Sequence, residues 1–470
     1  MFRAIPRVAL LTGLLMTGAS AVSAQNDDLA TCAKASGDAA MAACDRAIDS
    51  SQHTGRVLAQ AHINRGVEWM ARGEVTRAIA DYDRAIKHDP SQAAAFHNRG
   101  IARASKREFD AAVADFNEAI RLNPKYPAAL GNRGLAYFNK GAVDRAVADY
   151  DESIRLAPDA VSLNNRGNVY ASRGDYDRAI LDFDEAVTLD PRYAIGFYNR
   201  GNAYYAKGDP ERAIQDYSQA LAIDPKYQDS LVNRGVAHER KGQIDQAIRD
   251  YDEAIKIDPK DAIAFSNRGN ARLKKGEAAR AVADYDQAVR LDSKQVSAYF
   301  SRGIAYEARK QYAAALADYD HVTRLQPANA AAWNSRCWTR AVVGQLQPAL
   351  SDCNEALRLR PDFIHALDSR AFVHLKAGRP DDAISDYDAA LRLDPNKVAS
   401  LYGRGMARRS KQDLAGGNAD IAAAQAIKAE VSAEFASYGI SPPPNEPPVQ
   451  READRAPQPR AERLYLPNPN

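Results

Sequence analysis

The chain has 470 residues, of which 45% are hydrophobic and 26% are charged, so it holds enough apolar side chains to bury a core. Its 63 lysine and arginine residues almost balance its 61 aspartate and glutamate residues, giving a formal net charge of +2. Nucleic-acid-binding proteins usually carry a basic surplus. We therefore expect no nucleic-acid partner.

The first 24 residues have the pattern of a secretory signal peptide. Arg3 and Arg7 precede an apolar run over residues 8–16, and small residues follow at 22–24. The run is well short of the ~18 apolar residues that a membrane-spanning helix needs. We expect residues 1–24 to be removed, no transmembrane segment in the mature chain, and a periplasmic or secreted protein.

The triplet Asn-Arg-Gly, or a variant of it, then recurs at a fixed spacing. Successive arginines are 34 residues apart, with a single step of 33. They are Arg65, Arg99, Arg133, Arg166, Arg200, Arg234, Arg268, Arg302, Arg336, Arg370 and Arg404. Such a period indicates a repeat architecture. We number the repeats 1 to 11 by these arginines, each of which occupies position 7 of its repeat.

Each repeat reads as two short helices. In residues 194–225, apolar residues recur at helical spacing on both sides of a turn that contains Gly208 and Pro210. A single helical hairpin cannot bury its apolar face, but stacked hairpins can. The fold class is therefore all-α, a solenoid of about eleven 34-residue repeats.

The pattern also predicts what lies on either side of the array. Residues 25–58 form a degenerate N-terminal repeat, and residues 59–436 form the array with a C-terminal capping helix. Residues 437–470 form a disordered tail, since nine of the last thirty residues are proline.

The repeat resembles the tetratricopeptide repeat over about four-fifths of the chain. In repeat 5 the resemblance is carried by Phe197, Gly201, Tyr204, Ala213, Tyr217, Ala220 and Pro225. It implies a right-handed superhelix whose first helices line a concave groove, and a protein-binding scaffold rather than an enzyme. We expect no cofactor, since the sequence carries no phosphate loop and no nucleophile or zinc motif.

An aspartate at position 23 accompanies every position-7 arginine. We predict ion pairs between the two helices of a repeat, including Arg133–Asp149, Arg200–Asp216 and Arg234–Asp250. If exposed, such pairs contribute only ~0–1 kcal/mol each. The alternative is that these arginines bind an acidic ligand. A basic row at position 14 has the same two interpretations, a favourable interaction with the helix dipole or an acidic partner.

Position 6 is asparagine in seven successive repeats. Such a row resembles the asparagine ladder of the O-linked N-acetylglucosamine transferase superhelix, where these residues bind a peptide main chain. A side-chain amide both donates and accepts, so it can bind any peptide backbone. We predict a ligand-binding groove lined by Asn98, Asn132, Asn165, Asn199, Asn233 and Asn267, with Asn168, Asn202 and Asn270 at position 9.

Two alternatives remain open for this row. The asparagines could bond neighbouring helices as part of packing, or the groove could hold a glycan or lipid-linked polymer. The partner's identity and the oligomeric state do not follow from the sequence.

The four cysteines suggest two disulfides. Cys337 and Cys353 occupy positions 8 and 24 of one repeat, and Cys32 and Cys44 fit the same arrangement with a shorter turn. In an oxidising compartment we expect both pairs to be bonded. The two pairs are too far apart in an extended array for a zinc site, so we expect no metal.

Overall fold

The computed structural model describes residues 25–50 and 53–441. The predicted signal peptide and most of the predicted tail lie outside these residues. The described part contains 25 α-helices and no strand, which confirms the all-α class. It divides into two compact bodies, the N-terminal body ending at Gly208 and the C-terminal body starting at Asp209.

The N-terminal body contains eleven of the described helices. They are α1 Gln25–Lys34, α2 Asp38–Asp49, α3 Gly55–Ala71, α4 Val75–His88, α5 Ala93–Ser105, α6 Phe109–Leu122, α7 Pro127–Asn139, α8 Val143–Leu156, α9 Ala160–Ser172, α10 Tyr176–Leu189 and α11 Ala194–Ala206.

The C-terminal body contains the other fourteen. They are α12 Pro210–Ile223, α13 Gln228–Arg240, α14 Ile244–Ile257, α15 Ala262–Lys274, α16 Ala278–Leu291, α17 Val296–Ala308, α18 Tyr312–Leu325, α19 Ala330–Val342, α20 Leu346–Leu359, α21 Ile364–Lys376, α22 Pro380–Leu393, α23 Val398–Ser410, α24 Leu414–Ile427 and α25 Val431–Ser437.

Each repeat follows one local plan. A first helix over positions 1–13, which begins earlier in repeat 1, is joined by three residues to a second helix over positions 17–30. The middle connecting residue, position 15, has a positive φ, which glycine adopts without strain. Glycine is present there in most repeats, but Arg107, Lys310 and Gln412 take φ values of 64°, 57° and 67°.

In seven of the eleven repeats, an aspartate or asparagine at position 31 directly follows the second helix. Its carboxylate or amide oxygen accepts a hydrogen bond from the backbone N–H two residues later, as Asp224 does from Lys226 at 3.0 Å. This side-chain turn competes with helix continuation and directs the chain into the next repeat.

The core of a hairpin is a small residue facing a ring. At position 8, a Cβ added to Gly269 would lie 2.7 Å from Cε1 of Tyr285, and one added to Gly100 would lie 2.6 Å from Cε1 of Phe116. The rings are fully buried. Glycine at position 8 therefore lets the position-24 ring lie directly against the first helix.

Within each body, the first helix of a repeat packs against the second helix of the preceding repeat, and most first helices also contact the first helix of the next repeat. In each body the first helices therefore form a layer, which we call the inner layer. The predicted groove residues belong to these first helices.

The ends of the array differ from the prediction. The first helix of repeat 1 starts at Gly55, inside the predicted 25–58 segment. The capping segment is a separate short helix, α25, after a break at 428–430. The predicted tail boundary at 437 is too early, because Tyr438 and Ile440 pack into the apolar core of the last repeats.

Candidate functional site

The position-7 arginines lie against the second helix of their own repeat. Arg133 donates from Nε and Nη2 to both oxygens of Asp149, at 2.8 and 2.7 Å. Arg234 donates in the same way to Asp250, at 2.9 and 2.6 Å. Two of the three predicted pairs are therefore brought together. The third, Arg200–Asp216, joins residues of the two bodies and stays a prediction.

The remaining nitrogen of these arginines bonds the preceding repeat. Nη1 of Arg302 donates to Asp286 at 2.7 Å, and Nη1 of Arg268 donates to Asp252 at 2.6 Å. The acceptor is position 25 of the repeat before. The same link is made to Asp45, Asp83, Asn117, Asp151, Asp184, Ser218, Asp320, Asn354 and Asp388. One guanidinium therefore ties two helices of one repeat to the neighbouring repeat.

These pairs are more buried than the sequence suggested. The side chain of Arg302 is 15% exposed and that of Asp318 only 5%. Burial raises the pKa of Asp318, and the hydrogen bonds from Arg302 offset this only in part. Because all three guanidinium nitrogens of Arg302 already donate hydrogen bonds to aspartates, this arginine is not available to an acidic ligand.

The basic row at position 14 is also paired between repeats. Lys241 contacts Glu211 at 2.9 Å, and Lys275 contacts Asp245 at 2.7 Å. Lys140 and Asp110 form the equivalent pair in the N-terminal body. These acids lie at position 18 of the preceding repeat, so the row is largely a second, exposed set of contacts between repeats.

Three of the predicted groove asparagines bond other side chains of the protein. Asn132 donates from Nδ2 to Nε2 of His97 at 2.9 Å, and Asn199 donates to Oδ1 of Asn164 at 2.8 Å. Both acceptors occupy position 5 of the preceding repeat. Burial lowers the pKa of His97 to about 4, so its ring is neutral and Nε2 can accept. Asn270 accepts from the Tyr285 hydroxyl at 2.7 Å.

Other asparagines of the row keep their hydrogen-bonding capacity. Within the described residues, the side-chain amides of Asn165, Asn168 and Asn267 have no hydrogen-bond partner, and all three are partly exposed. Asn98 interacts with His97, and Asn202 and Asn233 are partly exposed but also take part in interactions within the protein. The free amides of the row are therefore those of Asn165, Asn168 and Asn267.

Both cystines take the place of the glycine–ring contact. The sulfur atoms of Cys337 and Cys353 are 1.98 Å apart, and those of Cys32 and Cys44 are 2.03 Å apart. Cys44 directly precedes Asp45, which accepts from Arg65 as a position-25 residue does. Cys44 is thus the position-24 residue of the short N-terminal repeat.

Family models decide the identity of these hairpins. Models described as TPR repeat or tetratricopeptide repeat match residues 63–161, 167–309, 296–329 and 364–397, together more than half of the chain. The chain belongs to the tetratricopeptide repeat family. No curated protein sequence matches it.

Several solved tetratricopeptide proteins are similar in structure. The APC/C hetero-tetramer Cut9-Hcn1 is 12% identical with a TM-score of 0.48, covering 88% of this chain and 94% of that chain. A tetratricopeptide repeat protein from Parabacteroides merdae is 20% identical with a TM-score of 0.42, covering 52% and 97%. MamA is 27% identical with a TM-score of 0.33, covering 34% and 95%.

The described part of the array has neither a metal-ion site nor a membrane-spanning helix. Over residues 25–50 and 53–441, no group of histidine, cysteine, aspartate or glutamate side chains is arranged to hold a metal ion. In the same part of the chain, no helix has both the length and the apolar character needed to cross a bilayer.

A partly buried acid in the array, Glu307, was not predicted from the sequence. Burial raises the pKa of Glu307 to about 7, and its carboxylate accepts from the Thr339 hydroxyl. Glu307 lies at position 12, which varies from repeat to repeat. The repeat pattern gave no signal for Glu307, because the pattern is defined by positions where the same residue type recurs, and position 12 is not one of them.

Proposed function

We propose that this tetratricopeptide protein is a non-enzymatic scaffold of the cell envelope that holds extended polypeptide segments along its layer of first helices. Tetratricopeptide arrays generally serve as protein-interaction scaffolds without catalysis. The finer statement depends on the asparagine row and on the cystines.

The free amides of Asn165, Asn168 and Asn267 carry the proposal. A partly exposed side-chain amide without an internal partner gains a donor and an acceptor contact when a peptide group approaches. Asparagine is also a mediocre helix former, so its recurrence at helix positions needs a benefit. A contact with backbone amides would make binding tolerant of the peptide's sequence.

The envelope location is supported by two observations. Both cystines are buried within hairpins, and disulfides persist in oxidising compartments. Residues 1–24, outside the described part, have the pattern of a signal peptide.

Binding of short unstructured peptides, measured by fluorescence anisotropy, tests the proposal. The variant Asn165→Ala, Asn168→Ala, Asn267→Ala should bind at least about tenfold more weakly, since several hydrogen bonds are lost. Its circular dichroism and melting temperature should not change, because these amides bond nothing inside the protein. Asn132→Ala is the matched control, since it removes an internal bond and should lower stability.

Peptides with N-methylated backbones provide a second test of the proposal. They lack the amide donor, so they should bind the unmodified protein poorly. Equal binding by the triple variant, or equal binding of N-methylated peptides, would overturn the role of the asparagines. Binding of a glycan polymer that outcompetes the peptides would favour the alternative ligand class.

A further inference from the structure

The last four residues that the structure describes lie on the inner layer of the C-terminal repeats. After α25 ends at Ser437, Tyr438 turns back toward the first helices of repeats 9 and 10. Its ring centroid is 5.2 Å from that of Trp338 and 6.1 Å from that of Phe372. We call residues 431–441 the C-terminal strap.

The strap buries its apolar side chains in a regular order. Phe435 is 4% exposed and its ring centroid is 4.7 Å from that of Tyr402, in repeat 11. Ile440 is 8% exposed and lies beside Met406. The strap thus presents an aromatic residue, a second aromatic residue and then an aliphatic residue to the array.

The surface beneath the strap carries unusually large side chains. Position 9 is Trp338, Phe372 and Met406 in repeats 9 to 11, whereas it is asparagine in repeats 4, 5 and 7 and an aliphatic residue in the others. The surface beneath the strap is therefore apolar and largely aromatic, whereas the asparagine row is polar. The two surfaces call for different ligands.

A cap for the last helices does not require this whole segment. The helix α25 alone covers α23 and α24 through Val431 and Phe435. Tyr438 reaches further, since its ring lies against Trp338 of repeat 9 and Phe372 of repeat 10. Residues beyond α25 thus contact repeats 9 to 11, as a bound peptide would.

The described part of the strap borders an open pocket. Among the described residues, this pocket has a volume of about 400 Å³ beside Ile440 and is lined by Leu375, Lys376, Met406 and Arg409. Filling such a space with apolar atoms is favourable. A longer peptide of the same chemistry would fill it and make contacts that the strap does not.

We propose that the apolar face of repeats 9 to 11 is a second peptide-binding site, separate from the asparagine row, and that the C-terminal strap is its displaceable internal ligand. The partner is an extended segment of another protein that carries two aromatic residues followed by an aliphatic residue. The strap competes with this partner for the same site. The apparent affinity of the partner is therefore set by how much more tightly the partner binds than the strap does.

A labelled peptide with the sequence of residues 431–441 tests the site directly. It should bind the full chain weakly and the variant Tyr438→Ser, Ile440→Ser at least about tenfold more tightly, because the internal competitor is weakened. A peptide in which the positions of Phe435 and Tyr438 are serine should not bind. Adding Trp338→Ala to the variant should abolish the gain.

If the variant folds poorly, hydrogen exchange on the unaltered chain provides a second test of the proposal. Excess peptide should increase the exchange of strap amides about tenfold or more, while amides of α21 stay protected. The absence of both peptide binding and strap release would overturn the proposal. So would binding that is insensitive to Trp338→Ala, or a dimer that the peptide dissociates, since the occupant would then be a second copy of the chain.

Discussion

The three-way contact of Arg302 leads to a quantitative prediction about Arg302→Met. Methionine keeps much of the aliphatic stem but removes two hydrogen bonds to Asp318, at 2.8 and 2.7 Å, and one to Asp286 at 2.7 Å. Breaking a buried pair from one side costs ~3–5 kcal/mol. Because 15% of the Arg302 side chain is exposed, we expect the lower end, about 3 kcal/mol.

The matched comparison is Asp286→Ala. This carboxylate is 41% exposed, so losing it should cost only about 0.5–1 kcal/mol. A long repeat array does not unfold in one step, so the assay is native-state hydrogen exchange of the α17 and α18 amides. The expected increases are about 150-fold for Arg302→Met and about two- to fivefold for Asp286→Ala.

Two further variants check the physical cause. The double variant Arg302→Met, Asp318→Asn should regain most of the loss, because the buried charge is gone. In Arg302→Met alone, the folded-state pKa of Asp318 lies above its unfolded value, so the penalty is present at neutral pH and disappears as pH falls below about 4. Equal, small effects of Arg302→Met and Asp286→Ala would show that the pair behaves as an exposed one.

Three other features of the array give testable changes in stability. Replacing Cys337 by glycine and Cys353 by tyrosine should make the stability of the C-terminal repeats insensitive to reductant. In the unmodified protein, reducing this cystine should lower the free energy of unfolding by about 3 kcal/mol, since it closes a loop with a sequence separation of 16. Arg107→Gly should raise the free energy of unfolding by about 0.5–1 kcal/mol, since Arg107 has a φ of 64°. Glu307→Gln should stabilise the protein by about 1–3 kcal/mol at pH 8 and much less at pH 5. Its folded pKa of about 7 exceeds the usual value of 4.5, so the parent loses stability as pH rises between the two.

Native-state hydrogen exchange of amides in the affected repeats measures all three changes. Lys310→Gly provides an independent repeat of the Arg107 test, because Lys310 also has a positive φ. An Arg107→Gly variant no more stable than its parent would show that the turn is unstrained. A Glu307→Gln effect that does not change with pH would contradict the burial of a charged carboxylate. Full stability after reduction would mean that the cystine contributes little.

The period alone made much of the fold predictable. Because Arg133 and Asp149 recur in register, their contact follows once the two helices are known to be antiparallel. The third contact of the arginine was missed, since its acceptor belongs to the preceding repeat. A signal was present in the sequence. Position 25 carries Asp, Asn or Ser in each repeat that another repeat follows, and Ala422 in the last.

Other features of the site were beyond sequence reasoning. Tyr438 and Ile440 stand next to a proline run and have no counterpart in the repeats, so they were assigned to the tail. Their burial depends on the apolar face of α19 and α21, which only the packed array brings together. The bonds of Asn132 and Asn199 were equally hidden, because the residue at position 5 varies between repeats.

The link from each arginine to the preceding repeat also bears on how such an array can change in length. Deleting residues 262–295, one complete repeat, would place Arg302 after a repeat whose position-25 residue is Asp252 instead of Asp286. The new junction would have the same donor and the same acceptor as the old one. Gene duplication or recombination in whole repeats can therefore preserve the arginine link at the new junction, and the array can lengthen or shorten without a compensating substitution at these two positions.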